Sequence, residues 1–122
     1  MSVQITHPLH TAILVSDLEK AAQFYDDVLG LSRCDRSLKY SGIWYQVGDL
    51  QLHLIQDDST PSGIHNDQKW GRNRHIAFAI ANLAAAKDHL SSHGYDIQMS
   101  ASGRAALFTH DPDGNIVELT EV

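Results

Sequence analysis

Two short apolar runs, LHTAILV at residues 9–15 and HIAFAI at residues 75–80, carry enough Ile, Val, Thr and Phe to predict strands. Helical spacing follows each. After the first run, SDLEKAAQFYDDVLG places Leu18, Ala21, Ala22, Tyr25, Val28 and Leu29 on one face. Ser16 with Glu19 reads as a capping box and Gly30 as the left-handed exit. After the second run, NLAAAKDHLSSHG starts on Asn82 as its cap. Three further strands are expected in each half: around Leu31–Arg36, Gly42–Val47 and Leu50–Gln56, then near Tyr95–Met99, Ala105–His110 and Ile116–Glu121. Gly48-Asp49 and DPDGN, Asp111–Asn115, supply the tight turns. Between the halves, DDSTPSGIHNDQKWGRNR is polar and interrupted by Pro and Gly, a connector.

The halves are related. A shift of 65 residues lays His10 on His75, Ala12 on Ala77, Leu18 on Leu83, Ala21 on Ala86 and Leu54 on Leu119, with Ile13/Phe78 and Val15/Ile80 as similar pairs. The expected fold is therefore α+β: two βαβββ modules whose curved mixed sheet surrounds a concavity. One domain over residues 1–122 is expected, with module 1 at about 7–57, the linker at about 57–74 and module 2 at about 74–122.

That register also aligns chemistry. His53 follows His10 by 43 residues, and Glu118 follows His75 by the same 43. Alternate side chains of a strand share a face, so His10 goes with Ala12 and Leu14, and His75 with Ala77 and Ala79. Leu9, Ile13 and Val15, like Ile76, Phe78 and Ile80, point toward the helices. On QLHLI, Leu52 and Leu54 face the helix while Gln51, His53 and Ile55 face away; Glu118 stands opposite Val117 and Leu119 in the same manner. All four polar groups are expected to look into one concavity floored by alanines. Imidazoles and a carboxylate left there alone would be costly, whereas one divalent ion (Zn, Ni, Fe, Mn or Co) satisfies them. Each taken singly is more ordinarily a hydrogen-bonded cleft histidine or a solvated carboxylate; it is their common register that argues for metal. His89 and His93 share a helix face without an evident third ligand. His7 and His65 receive no role, and His110, which falls on Tyr45 in the repeat, could support the site from behind.

Composition narrows the partners. The net charge of −6 and pI near 5.6 argue against nucleic acid and anionic lipid. The opening MSVQITHPLH has no leader character, and no apolar run is long enough to span a bilayer, so a cytoplasmic location is expected. Cys34 is the only cysteine, which excludes an internal disulfide and reads as a reduced structural thiol.

With these residues in view, LHTAILVSDLEKAAQFYDDVLGL, LQLHLI, RHIAFAI and FTHDPDGNIVEL resemble the vicinal-oxygen-chelate superfamily: glyoxalase I, fosfomycin-resistance thiol transferases, extradiol dioxygenases and bleomycin-resistance proteins. The resemblance spans nearly the whole chain. It implies a homodimer, sometimes with one module lent to the partner's site, and His10, His75 and Glu118 on the usual ligand positions. His53 falls where glyoxalase I carries a glutamate, leaving a divalent site at +1. The implied activity is a glyoxalase-like isomerase or lyase that chelates a small substrate through adjacent oxygens, with Glu118 as general base. A ring-cleaving dioxygenase using His10, His75 and Glu118 is the alternative. So is a metal-free antibiotic-binding module stacking its ligand on Trp44, Tyr45 and Trp70. A thiol transferase remains open, with Arg72, Arg74 and Arg104 either recognising an anion or simply solubilising the surface. Substrate selection is expected from Ser37–Gly42 and the connector with Trp70.

Overall fold

A computed structural model describes residues 2–35 and 42–122. Its first half runs through β1 (His10–Val15), α1 (Leu18–Ala22), β2 (Ser32–Arg33), β3 (Gly42–Val47) and β4 (Leu50–Gln56). The second half repeats the order with β5 (His75–Ile80), α2 (Leu83–Ser92), β6 (Gln98–Met99), β7 (Ala106–His110) and β8 (Ile116–Glu121). Each half builds its own four-stranded mixed sheet, ordered β1-β4-β3-β2 and β5-β8-β7-β6. The first pair in each order is parallel and the others antiparallel. The two βαβββ modules expected from the repeat are present. Arg36, at the end of the expected second strand, and residues 37–41 of the expected rim lie outside the described residues.

The inner faces of both sheets share one apolar cluster with the helices. Val15, Leu52, Leu54 and Tyr45 of the first module meet Leu107, Val117 and Leu119 of the second, with Phe24, Tyr25 and Leu90 from the helical segments. Phe24 packs on Tyr95 at 5.0 Å between ring centroids, and His89 of α2 donates from Nε2 to the Val28 carbonyl at 3.0 Å. Leu9, expected on this face, stands before β1 and is exposed.

Two local expectations are corrected. The first helix is capped by Asp17, whose carboxylate accepts the N–H groups of Glu19 and Lys20, rather than by Ser16. Ser16 instead donates its backbone N–H to Asp113 Oδ2 at 3.0 Å, across to the other module. After Ala22 the helix widens to a π-helical segment, Gln23–Val28, with Leu29 N–H bonded to Phe24 O at 2.8 Å. The extra residue per turn turns Phe24 inward beside Tyr25, although α-helical spacing leaves it off the apolar face. Gly30 does make the left-handed exit at φ 74°, and Asn82 does cap α2.

The turn DPDGN joins the modules. Asp111 is fully buried and accepts from Tyr25 O–H, Asn115 Nδ2, Asp113 N–H and Asn115 N–H, each at 2.9 Å. Asn115 Nδ2 also donates to the Leu14 carbonyl at 2.9 Å. Burial pushes the Asp111 pKa up against these donors, which pull it down. Among the described residues no helix is long and apolar enough to cross a membrane.

Candidate functional site

The outer face of the first sheet carries His10, Ala12 and Leu14 on β1, Gln51 and His53 on β4, and Trp44 on β3. Strand pairing sets Ala12 and Trp44 on either side of His53, and His10 beside Gln51. The His53 imidazole stacks on the Trp44 indole, with centroids 3.9 Å apart and planes 11° from parallel. His10 meets the same indole edge-on at 5.1 Å. Gly42 makes the arrangement possible, because a Cβ there would lie 2.7 Å from both His53 Nε2 and the Leu54 carbonyl. Gly42→Ala is therefore expected to lower unfolding free energy by about 1–3 kcal/mol through overpacking. Urea titration measures the loss, and Trp44 emission should change as the imidazole leaves its face.

The second sheet presents His75 and Ala77 on β5, Ile116, Glu118 and Thr120 on β8, and Phe108 and His110 on β7. Glu118 Oε1 lies 3.4 Å from His75 Nε2 and 3.5 Å from Arg104 Nη2, while Oε2 accepts the Thr120 hydroxyl at 2.6 Å. The Thr120 bond first, then Arg104 and His75, hold the Glu118 pKa below the usual carboxylate range against the opposing effect of burial. The ionised form thus stabilises the fold above the unfolded carboxylate value, and that contribution is lost as pH falls through the lower folded value. Thr120→Val should raise the Glu118 pKa and move that loss to higher pH. A ¹³C titration of the metal-free protein reads the shift.

His75 Nδ1 lies 2.7 Å from the Asn73 carbonyl, which only accepts, so Nδ1 carries the proton. In the neutral ring Nε2 is then a bare lone pair facing a carboxylate oxygen. A cation between these two electron-rich atoms would satisfy both, whether a second ring proton or a metal ion. Their 3.4 Å separation suits two ligands each about 2.1 Å from one ion, so this pair fits two places in the coordination of a divalent metal.

The four expected ligands thus stand in two pairs. The structure gathers His75 with Glu118, and sets His10 and His53 about Trp44. Among the described residues no three His, Cys, Asp or Glu side chains come close enough to hold a metal. His89 and His93 lie 4.4 Å apart as rings, but His89 Nε2 bonds Val28 O, and His93 Nδ1 bonds the His89 carbonyl at 2.8 Å. That pair ties helix ends together. His110 is not the counterpart of Tyr45. Two residues separate β3 from β4 and five separate β7 from β8, so β7 slips by one: Trp44 pairs with His53, but Phe108 with Glu118. His110 consequently shares the outer face with His75, edge-on to Trp70 at 5.2 Å, whereas Tyr45 lies in the core.

Sequence reasoning missed Thr120, Gly42 and the link from Arg104 to Glu118. Thr120 was open to inference, being two residues from Glu118 on the same face of a strand. Nothing in the spacing points to Arg104, which reaches Glu118 from the turn before β7.

A model of the glyoxalase/bleomycin resistance protein/dioxygenase superfamily matches residues 7–119. Mitochondrial methylmalonyl-CoA epimerase of Homo sapiens is 30% identical over 126 residues, covering 92% of this chain and 72% of that protein. Lactoylglutathione lyase of Salmonella typhimurium is 28% identical over 122 residues, covering 93% and 90%. Among solved structures, TnmS3, an antibiotic binding protein from Streptomyces sp. CB03234, matches with a TM-score of 0.73 over 98% of both chains, at 24% identity that shows the fold alone. The repeated βαβββ modules, the DPDGN turn between β7 and β8, and a family match from His7 to Leu119 make this chain a member of the glyoxalase/bleomycin resistance protein/dioxygenase superfamily.

Proposed function

We propose that the protein is a divalent-metal-dependent enzyme of the isomerase or lyase type, which chelates a small substrate through adjacent oxygens and moves a proton at a neighbouring carbon. The observation that carries this reading is the His75 and Glu118 pair, whose facing nitrogen and oxygen stand 3.4 Å apart. His10, His53, His75 and Glu118 would hold the ion. When bound, it supplies Lewis acidity to the substrate oxygens, worth several kcal/mol at a developing oxyanion.

Glu118 is the base. Thr120 and Arg104 keep it ionised, and because the Thr120 hydroxyl occupies Oε2, Oε1 would be both the oxygen that holds the ion and, once released from it, the one that takes the proton. Its burial at 8% exposure keeps bulk water from competing for that proton. The names of the two relatives, an epimerase for methylmalonyl-CoA and a lyase for lactoylglutathione, support acyl thioesters as substrates.

Two donors are too few for any of these ions, which take four or more ligands. A second copy related by a twofold axis would bring His10 and His53 of one protomer to His75 and Glu118 of its partner, making two equal sites. Loaded with Zn, Ni or Co, the protein should exchange the C2 proton of methylmalonyl-CoA for deuterium, or interconvert lactoylglutathione and the hemithioacetal of glutathione with methylglyoxal. Glu118→Gln should lower the rate by about 10²- to 10⁴-fold. No turnover of either compound would overturn the assignment.

A dioxygenase reading has one observation in its favour. His53 Nε2 is turned toward Gly42 beneath Trp44, which leaves His10, His75 and Glu118 as a two-histidine, one-carboxylate set. Metal content unchanged in His53→Ala, with oxygen consumed in the presence of catechol, would favour it. The stacking module loses support: Trp44, Tyr45 and Trp70 are only 7%, 0% and 9% exposed.

A further inference from the structure

We infer that Asn73 is the positioning residue for His75, setting which ring nitrogen carries the proton before any metal arrives. The inference rests on the reading of His75 as a ligand, and no step of it needs the ion. An asparagine side chain offers two donors and two acceptor lone pairs. At Asn73, buried to 7% exposure, every one is engaged. Oδ1 accepts the backbone N–H groups of His65 at 2.6 Å and Asn66 at 2.8 Å, and Nδ2 donates to the carbonyls of Asn66 at 2.9 Å and Trp70 at 3.0 Å. Its own N–H donates to the Trp70 carbonyl at 3.1 Å. What remains is the Asn73 carbonyl, and it accepts His75 Nδ1–H.

The loop that Asn73 grips is itself fixed to the second sheet. Gln98 on β6 accepts the Trp70 N–H at 2.8 Å through Oε1 and donates to the Gln68 carbonyl at 3.0 Å through Nε2. The Trp70 ring packs with Phe108 and Ile116, and a Cβ on Gly71 would lie 2.8 Å from Phe108 Cζ. The Asn73 carbonyl is thereby held at a set place above β5, and the imidazole must meet it with Nδ1–H. Free neutral imidazole favours the other tautomer, with the proton on Nε2, where that nitrogen binds nothing. The clamp reverses the preference and aims the Nε2 lone pair at Glu118.

The test is made on the full metal-free chain. Long-range ¹⁵N–¹H correlations, with His75 assigned by its loss in His75→Gln, should show Nδ1–H in the wild type. In Asn73→Ala the ring should pass mainly to Nε2–H, with His10 unchanged. The zinc dissociation constant, read by competition with a chromophoric chelator, should rise about 10- to 100-fold. An Asn73→Ala protein that melts lower with the same tautomer and zinc affinity would reduce Asn73 to a loop brace and overturn the inference. Should that variant fail to fold, the wild type still decides, because Nε2–H at His75 in the folded protein is equally fatal. If instead His75→Ala binds zinc as tightly as the wild type, the ligand reading fails, whatever the tautomer result.

Discussion

Mixing His10→Ala protein with Glu118→Ala protein should restore activity that neither variant has alone. The two donor pairs lie on separate sheets, and no three chelating side chains gather among the described residues of one chain. If His10 and His53 of one protomer serve His75 and Glu118 of its partner, a mixed dimer carries one doubly damaged site and one intact site. Random exchange of subunits makes half the dimers mixed, so about a quarter of all sites recover. The check is turnover against mixing ratio after exchange, peaking at equal amounts. Activity that stays absent at every ratio would mean that both pairs act within a single chain.

Asp111→Ala should be the most damaging substitution for the fold itself. The carboxylate is fully buried and accepts four hydrogen bonds, one of them from Tyr25 in the other module. Removing it leaves the buried Tyr25 hydroxyl and two half-buried backbone N–H groups without this acceptor, at a cost of about 3–5 kcal/mol. Urea unfolding measures this, and Tyr25→Phe, which drops a single bond, should lose far less. Asp111 and Glu118 also oppose each other across the acid range. The raised pKa of Asp111 makes its charge a burden as pH climbs through the folded value, whereas the lowered pKa of Glu118 makes its charge a support.

The repeat made most of the architecture legible. His10 and His75 open their strands 65 residues apart, and the parallel pairings of His10 with Gln51 and His75 with Ile116 keep the same interval. What escaped depends on contacts between segments rather than on spacing within them. Ser16 and Asp17 are equally good caps in a sequence, and only the reach of Ser16 N–H to Asp113 separates them. The one-residue slip of β7 follows from the longer turn, and a slip of one exchanges the faces of a strand, which is why His110 and Tyr45 part company. Asn73 falls on Pro8 in the repeat, a residue with no side-chain donor or acceptor, so the register could not mark it. The division of the four donors into two pairs was hidden for a similar reason. Face and strand can be read from alternation, but which sheets confront one another is decided by the shared core.

Arg104 beside Glu118 has a kinetic corollary. The whole chain carries −6, so at low ionic strength an approaching anion meets a repulsive field that extends for tens of ångströms. Within bonding reach of Glu118, however, the half-exposed guanidinium is a local attraction that salt screens far less. If the substrate is the negatively charged thioester proposed above, its capture should accordingly speed up as electrolyte is added, the reverse of the usual behaviour for enzymes that steer their substrates electrostatically.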